Sequence, residues 1–416
     1  MSIKPKLFRD PIHDIIALRK DSAEDRVLLD LIRTTEVQRL RRIRQLGLTN
    51  VVYHGAEHSR FQHSMGVMAL AGRMYDQLRP NGPPGERLSV VAAALCHDLG
   101  HGPFSHVAER IGSFHHEDVT VQLIRSPMSE VNEVLRAYDP GLPERVAGFY
   151  DSDNTGEPLR HIVASQLDAD RMDYIQRDGM ATGVKIGVFD IERILGMLEE
   201  QGGSVCVSFR ATEAVEGYLL ARFHMYKQVY LHKACRSAER MLEACFRRAS
   251  YLHAEGYPFA WYPTGALANL VGNTLVGFRD IPRLDDVDIW YALKQWAREE
   301  DPILRRLADG LVCRRLFKTL PITADNEACV LERARSVATA LDLDPSFFVL
   351  VDSSADTPYK PYVPGSGRTD QSIRIVQRNG TVAPIEEVSE VVGLLGQLHF
   401  NVKRLVAPAE VIDRLR

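Results

Sequence analysis

A mainly helical lobe followed by a smaller α+β lobe is the fold that this chain of 416 residues predicts. Three observations carry the expectation. From about residue 30 to about residue 250 apolar residues recur at helical spacing, with loop signals confined to NGPPGE and DSDNTGEP. From residue 344 onward the pattern changes to short apolar runs among Pro, Gly and Ser clusters. Within the helical part, VVAAALCHDLGHGPFSH sets His97 and Asp98 side by side after a stretch of apolar helix formers. The first lobe is assigned to residues 1–250, with its centre at about 58–180, and the second to residues 251–416.

Each element follows from local pattern. Residues 1–30 hold short alternating apolar runs and a small β element in DIIALRKD. SRFQHSMGV and its continuation read as an amphipathic helix with Phe61, Met65, Met68 and Met74 on the apolar side. Thr212 to Ser250 contains one glycine and no proline, so it reads as one long helix. A shorter helix is expected near Asp285–Glu300, after a Pro/Gly-marked loop. Residues 344–372 read as a strand and then a loop. SIRIVQRNGTVAPI expects a β-hairpin near 373–385, with Asn379-Gly380 as a type I′ turn. No internal repeat is visible.

Composition excludes several classes. With 45% apolar and 25% charged residues the chain is an ordinary globular one, long enough for a sizeable core. No apolar stretch approaches a membrane span, and MSIKPKLFRDP lacks a signal core. Six cysteines without C-x-x-C spacing read as reduced thiols, so a cytoplasmic setting is expected. A net charge of −4 argues against a protein that wraps DNA.

The doublet carries the chemistry. Two polar groups buried unpaired would cost several kcal/mol, and a divalent metal would compensate them. Taken singly, His63 reads as a satisfied helix histidine and the aspartates of QLDADRMDYIQRD as a solvated face. Taken together, His63, His97, Asp98 and Asp170 make a set of two imidazoles and two carboxylates from three helices. Such a set leaves positions open for water and substrate. It suits Mn, Fe, Zn, Ni or Co about equally, and Mg can join on substrate phosphates.

The pattern H…HD…D resembles the HD phosphohydrolase superfamily, and the surrounding wording resembles one branch, the deoxynucleoside triphosphate triphosphohydrolases. That branch includes the vertebrate sterile-alpha-motif/HD-domain enzymes. The matching segments are DPIH (Asp10–His13), QRLRRIRQLG (Gln38–Gly47), HSRFQHSMGV, CHDLGHGPFSH, HHED (His115–Asp118), DADRMDYIQRD and YLHK (Tyr230–Lys233). They run over roughly the first half of the chain and are specific as a set. Because the chain enters DPIH within its first dozen residues, no sterile-alpha-motif module is expected. The resemblance implies an HD-domain helical lobe, a dNTP substrate cleaved to deoxynucleoside and inorganic triphosphate, a nucleotide effector, and a homodimer or homotetramer. Some members bind single-stranded nucleic acid, and no motif here speaks to that.

Further residues take roles from pattern or from resemblance. Arg60 lies three before His63 on one helix side and suits a phosphate, as does Arg171 beside Asp170. Arg222, Tyr226 and Tyr230 fall at i, i+4 and i+8, with Lys233 close to the stripe. A Tyr stripe is usually core, but Arg and Lys on it suit a phosphorylated ligand. The resemblance places all four in the substrate site, with histidine where this chain has Tyr226. His101, His106 and His116 are proton-transfer candidates, since a neighbouring carboxylate fixes a histidine's tautomer. In the resembled enzymes the counterparts of His106 and His116 work with acids, here Glu109 and Glu117, to protonate the leaving 5′-oxygen. The resemblance alone sets Tyr174, Gln45 and Leu46 at the sugar and Asp178 at the 3′-hydroxyl. It also sets Lys6, Gln38, Arg41, Val52 and Tyr53 at an effector site. There Arg33 stands where the family has a guanine-reading aspartate, and Arg9 where it has asparagine. An arginine cannot accept from guanine N–H donors. Two other readings remain open: an HD phosphohydrolase acting on nucleoside monophosphates or cyclic nucleotides, and a non-catalytic nucleotide sensor.

Overall fold

The turn Asp10-Pro11-Ile12-His13-Asp14 opens the fold by joining strands β1 (Lys6–Asp10) and β2 (Asp14–Leu18) into an antiparallel hairpin. Aspartate at the start and proline after it suit a tight turn, and Asp14 takes the left-handed conformation (φ 59°) that closes a three-residue loop. The computed structural model describes residues 4–151, 158–275, 277–356, 372–398 and 400–416. The DSDNTGEP loop and the Pro/Gly/Ser loop before the C-terminal hairpin lie largely outside those residues.

Helices dominate the chain after this hairpin. The Arg60–Leu78 helix begins with a capping box: Ser59 Oγ accepts from the Gln62 N–H while Gln62 Oε1 accepts from the Ser59 N–H. The cap fixes His63 within the first turn. Glu86–Cys96 packs alongside and delivers His97 and Asp98 at its end. Ala169–Thr182 starts on Asp168, whose side chain accepts from the Arg171 N–H at 2.7 Å. Its aspartates do not form a solvated face, because Asp168, Asp173 and Asp178 are all buried. Gly66 makes room for them: a Cβ there would lie 2.0 Å from Asp173 Oδ1.

Three local expectations are corrected. The expected single helix over 212–250 is two helices, Thr212–Met225 and Lys233–Ala254, separated by a π turn at Tyr226–Tyr230. His232 adopts an extended backbone, and its side chain accepts from the Ala234 N–H, which restarts the helix in a new direction. No glycine or proline announces that break. A hairpin of β3 (Leu198–Gln201) and β4 (Ser204–Ser208) interrupts the stretch read as helical. The C-terminal hairpin of β7 (Arg374–Val376) and β8 (Val382–Pro384) forms, but without a type I′ turn. Only Gly380 is left-handed (φ 83°), the Gly380 N–H donates to Gln377 O, and Asn379 Oδ1 instead accepts from Thr381. That is a three-residue loop with a bulge.

Two hydrophobic cores result. One joins the Arg60–Leu78, Glu86–Cys96 and Ala169–Thr182 helices to the N-terminal hairpin. The β3-β4-β7-β8 sheet, in which β4 and β7 run parallel, adds Leu198, Val207 and Ile375 to that core, and the short helices Ile385–Val388 and Glu390–Leu395 add Ile385, Val392 and Leu395. The other joins Lys233–Ala254 with Asp286–Trp296, Pro302–Val312 and a sheet of β5 (Lys318–Pro321), β9 (Phe400–Ala407) and β6 (Leu350–Asp356). Among the described residues no helix is long and apolar enough to cross a membrane.

Asp286 ties the second core to the first. Its Oδ1 accepts from the Phe104 N–H at 2.8 Å and its Oδ2 from the Arg44 N–H at 2.9 Å. Burial pushes its pKa up to about 6. The folded state then holds this proton more tightly than the unfolded state, so its contribution to stability falls as pH rises from about 4 to 6. Asp286→Asn is expected to remove up to roughly 3 kcal/mol of that fall. Urea unfolding at pH 4 and pH 7 checks it: an unchanged difference between the two pH values refutes the assignment.

Candidate metal centre and its cavity

Three donors, His63, His97 and Asp170, converge where the three helices meet, with Asp98 at their edge, no nearer than 4.0 Å to His63 Nε2. His63 Nε2 lies 3.2 Å from His97 Nε2 and 2.9 Å from Asp170 Oδ1. His97 Nε2 lies 3.2 Å from Asp98 Oδ1 and 3.6 Å from Asp170 Oδ1. Ligands about 2.1 Å from one cation stand about 3.0 to 3.5 Å apart, so the spacing fits a single ion. The tautomers agree. His63 Nδ1 faces Asp173 Oδ2 at 2.7 Å, and His97 Nδ1 faces the Ala94 carbonyl at 2.8 Å. Both Nδ1 atoms therefore donate, and both Nε2 atoms turn toward each other and toward Asp170; burial opposes charge on His63, but the hydrogen bonds to Asp170 and Asp173 raise its pKa. Neutral rings gain nothing from that contact, whereas a cation between them uses both. Burial opposes ionisation of Asp98, yet Arg60 and the imidazoles hold it down to about 2.

A second cluster flanks the first. Glu109 binds His106 Nδ1 at 2.7 Å and His116 Nδ1 at 3.0 Å, leaving each Nε2 as the free edge. Burial would raise Glu109, but the two imidazoles keep it well below the carboxylate range. His101 stacks on His116 with ring centroids 3.8 Å apart, and burial together with Arg60 keeps it neutral. Glu109 thus serves both rings, while Glu117 is exposed at the cavity edge. The HGPFSH turn is strained, with Phe104 and Ser105 both left-handed. Arg39, fully buried, holds it by donating to the Leu99 and His101 carbonyls at 2.7 and 2.8 Å and to Ile281 and Leu284 on the other side.

These groups open on a cavity of about 900 Å³. Gln45, Leu46, Arg60, His97, Asp98, His101, His106, His116, Glu117, Asp170, Arg171, Tyr174, Asp178, Tyr226 and Tyr230 line it. His63 and Glu109 sit behind that wall. Two expected phosphate ligands are not on it. Arg222 is buried, donating Nη1 to Gln166 Oε1 at 2.9 Å, and Lys233 is an exposed residue of the restarted helix. The break at His232 takes Lys233 off the Arg222–Tyr230 stripe. Arg60 and Arg171 are engaged by carboxylates, Asp98 at 2.5 Å and Asp168 respectively. Asp178 receives His58 at 2.8 Å and the Tyr230 hydroxyl at 2.8 Å. Sequence reasoning missed Arg160, His161, Gln166, Arg236 and Arg374 on the wall. They come from elements whose approach no local pattern signals.

The residues matched to an effector site do not line this cavity. Arg33 is exposed and pairs with Asp30 in its own helix, whereas Arg41 bonds Gln38 and lies over the Phe61 ring. Lys6 lies over Phe8, Val52 is half-buried, and the Tyr53 hydroxyl donates to the Gln228 carbonyl.

Residues 60–178 match the HD domain and residues 189–255 the HD-associated region. The chain belongs to the HD-domain phosphohydrolase family. It is 38% identical over 98% of its length to uncharacterized protein YwfO of Bacillus subtilis, covering 93% of that protein. A phosphohydrolase structure from Bacteroides thetaiotaomicron superposes with a TM-score of 0.82 at 32% identity, covering 97% of this chain and 100% of that one. The deoxynucleoside triphosphate triphosphohydrolase SAMHD1 of Danio rerio is 31% identical over 75% of this chain. This HD-domain protein spans 55% of that relative and 46% of the Dictyostelium discoideum SAMHD1 homolog.

His97→Ala and Asp98→Ala are each expected to abolish bound transition metal while the helical circular-dichroism signal persists. Elemental analysis of the purified variants checks this. Full metal content in Asp98→Ala would show that the ion sits elsewhere.

Proposed function

We propose that this protein hydrolyses deoxynucleoside triphosphates at the α-phosphorus, releasing inorganic triphosphate and a deoxynucleoside. One observation carries the reading. Asp170, Tyr174 and Asp178 stand on one face of one helix, so the candidate metal donor Asp170 and the polar pair Tyr174 and Asp178 line one wall of the cavity. Tyr174 packs edge-on against both His63, at 6.4 Å, and Tyr230, at 6.1 Å. The resemblance sets Tyr174 under the sugar, where it would close the space a ribose 2′-hydroxyl needs, with Asp178 accepting from the 3′-hydroxyl and Gln45 and Leu46 beside the sugar. The SAMHD1 relatives, named for this activity, support it.

The chain's own groups divide the work. His63, His97, Asp98 and Asp170 would hold a divalent cation, which would supply positive charge and Lewis acidity at the phosphate. Water adds to phosphorus and the 5′-oxygen leaves. His116, with His106 beside it, delivers a proton to that oxygen from Nε2, the edge that Glu109 leaves open. Arg171, Arg160 and His161 line the wall where the outer phosphates would extend. A second reading, hydrolysis of a nucleoside monophosphate, gains from the absence of Arg222 and Lys233 from the wall, since a shorter phosphate chain needs fewer cations. Incubation with each dNTP or dNMP and Mn²⁺ or Mg²⁺ separates the two: triphosphate release supports the first reading, and phosphate release from dNMP alone the second.

His116→Ala is expected to keep its metal and bind dNTP, yet lose at least about 100-fold in turnover. Near-native turnover in both His116→Ala and His106→Ala would place the proton donor elsewhere. At the effector positions, Arg33 faces Asp30 and offers no acceptor to guanine, so GTP alone is expected to give little activation. A large GTP-dependent rate rise coupled to assembly of a dimer or tetramer, read by light scattering, would refute that expectation.

A further inference from the structure

A buried chain of polar contacts runs from the metal donors to the N-terminal hairpin. Asp173 is its hub. Its Oδ2 takes His63 Nδ1 at 2.7 Å and Arg177 Nε at 2.8 Å, while its Oδ1 takes His13 Nε2 at 2.6 Å and Arg177 Nη2 at 2.8 Å. A carboxylate offers about four acceptor sites, and here all four are used. Arg177 continues to Asp10, donating Nη1 to Oδ2 at 2.9 Å and Nη2 to Oδ1 at 3.1 Å. Asp10 Oδ1 also accepts from the Ile12 and His13 N–H groups, at 2.9 and 3.0 Å, which fixes the turn that aims His13 inward. The His13 side chain is 6% exposed, and those of Asp10, His63, Asp173 and Arg177 no more than 5%.

We propose that the Asp10–His13 turn is an outer shell of the metal centre. Through Asp173 and Arg177 it fixes the ring orientation and tautomer of His63, so metal retention depends on a segment that supplies no ligand. The physical reason is the absence of slack. Asp173 cannot rotate to follow a tilting His63 without breaking contacts to His13 and Arg177 in a site that water does not reach. Removing His13 leaves one acceptor of a buried carboxylate unpaired and releases the restraint on Asp173, so His63 loses its fixed partner. Gly66 belongs to the same device, since a side chain there would displace both Asp173 and Arg177. His13 and Asp10 are positioning residues, because they touch neither metal nor substrate.

The inference rests on the metal-centre reading and not on the substrate. Metal-stripped full-length protein is titrated with Zn²⁺ and with Mn²⁺ against a chromogenic chelator. His13→Leu is expected to bind each ion about 10- to 100-fold more weakly than wild type, the usual effect of losing an outer-shell partner. His13→Gln, whose amide still donates to Asp173, is expected to stay within about threefold of wild type. Ile15→Ala, on the exposed outer face of the same hairpin, is expected to leave affinity unchanged. Thermal melting without metal is the folding control, and if His13→Leu fails it, Asp10→Asn is read in its place. Wild-type affinity in the folded variant lacking the contact overturns the proposal, as does an equal loss in Ile15→Ala. A wild-type protein that binds neither ion instead defeats the metal-centre reading itself.

Discussion

An aspartate or a histidine in an apolar helical core is tolerated only when its partners are in place, and this protein concentrates many of them at one junction of three helices. Asp98 is held by Arg60, Asp173 by Arg177 and two imidazoles, and Asp178 by His58 and Tyr230. His63 and His97 converge through their Nε2 atoms beside Asp170, an arrangement that a cation would fit. The helix caps, the close approach at Gly66 and the hairpin behind Asp173 all serve to hold that geometry, because a misplaced donor would leave a buried charge without a partner.

The proton-transfer side depends on a different device. The left-handed Phe104 and Ser105 are costly conformations, and the surrounding groups over-determine them. Arg39 binds four carbonyls around the turn, and Asp286 binds backbone N–H groups on two segments at once. Asp286 belongs to a helix of the second core. The second core is therefore part of the scaffold of the histidine cluster, and Glu109 then only has to orient two rings that already lie together.

The cavity wall is assembled from distant chain segments. Parallel pairing of β4 with β7 brings Arg374 beside Ser204 and Val205, about 170 residues earlier in the chain. The π turn at Tyr226–Tyr230 keeps Tyr226 and Tyr230 facing the cavity while the next helix departs to another core. These two features set Arg374, Tyr226 and Tyr230 on the wall and leave Lys233 off it.

By itself the sequence determined the helical character, the small β element in the first 30 residues, the hairpin near 373–385 and the nearness of His63, His97, Asp98 and Asp170. Each of these is written in residues near one another or in a motif of fixed spacing, so local chemistry makes it legible. The helix break at His232 was not legible, because no Gly or Pro marks it and the competing hydrogen bond comes from a histidine side chain. The burial of Asp173 and Asp178 was not legible either, since an aspartate run on one helix face reads equally well as solvated. Only the tertiary structure decided those points. Whether a polar side chain is paired, buried or free depends on which distant segment packs against it, and here those segments are the first hairpin, the second core and the C-terminal strands.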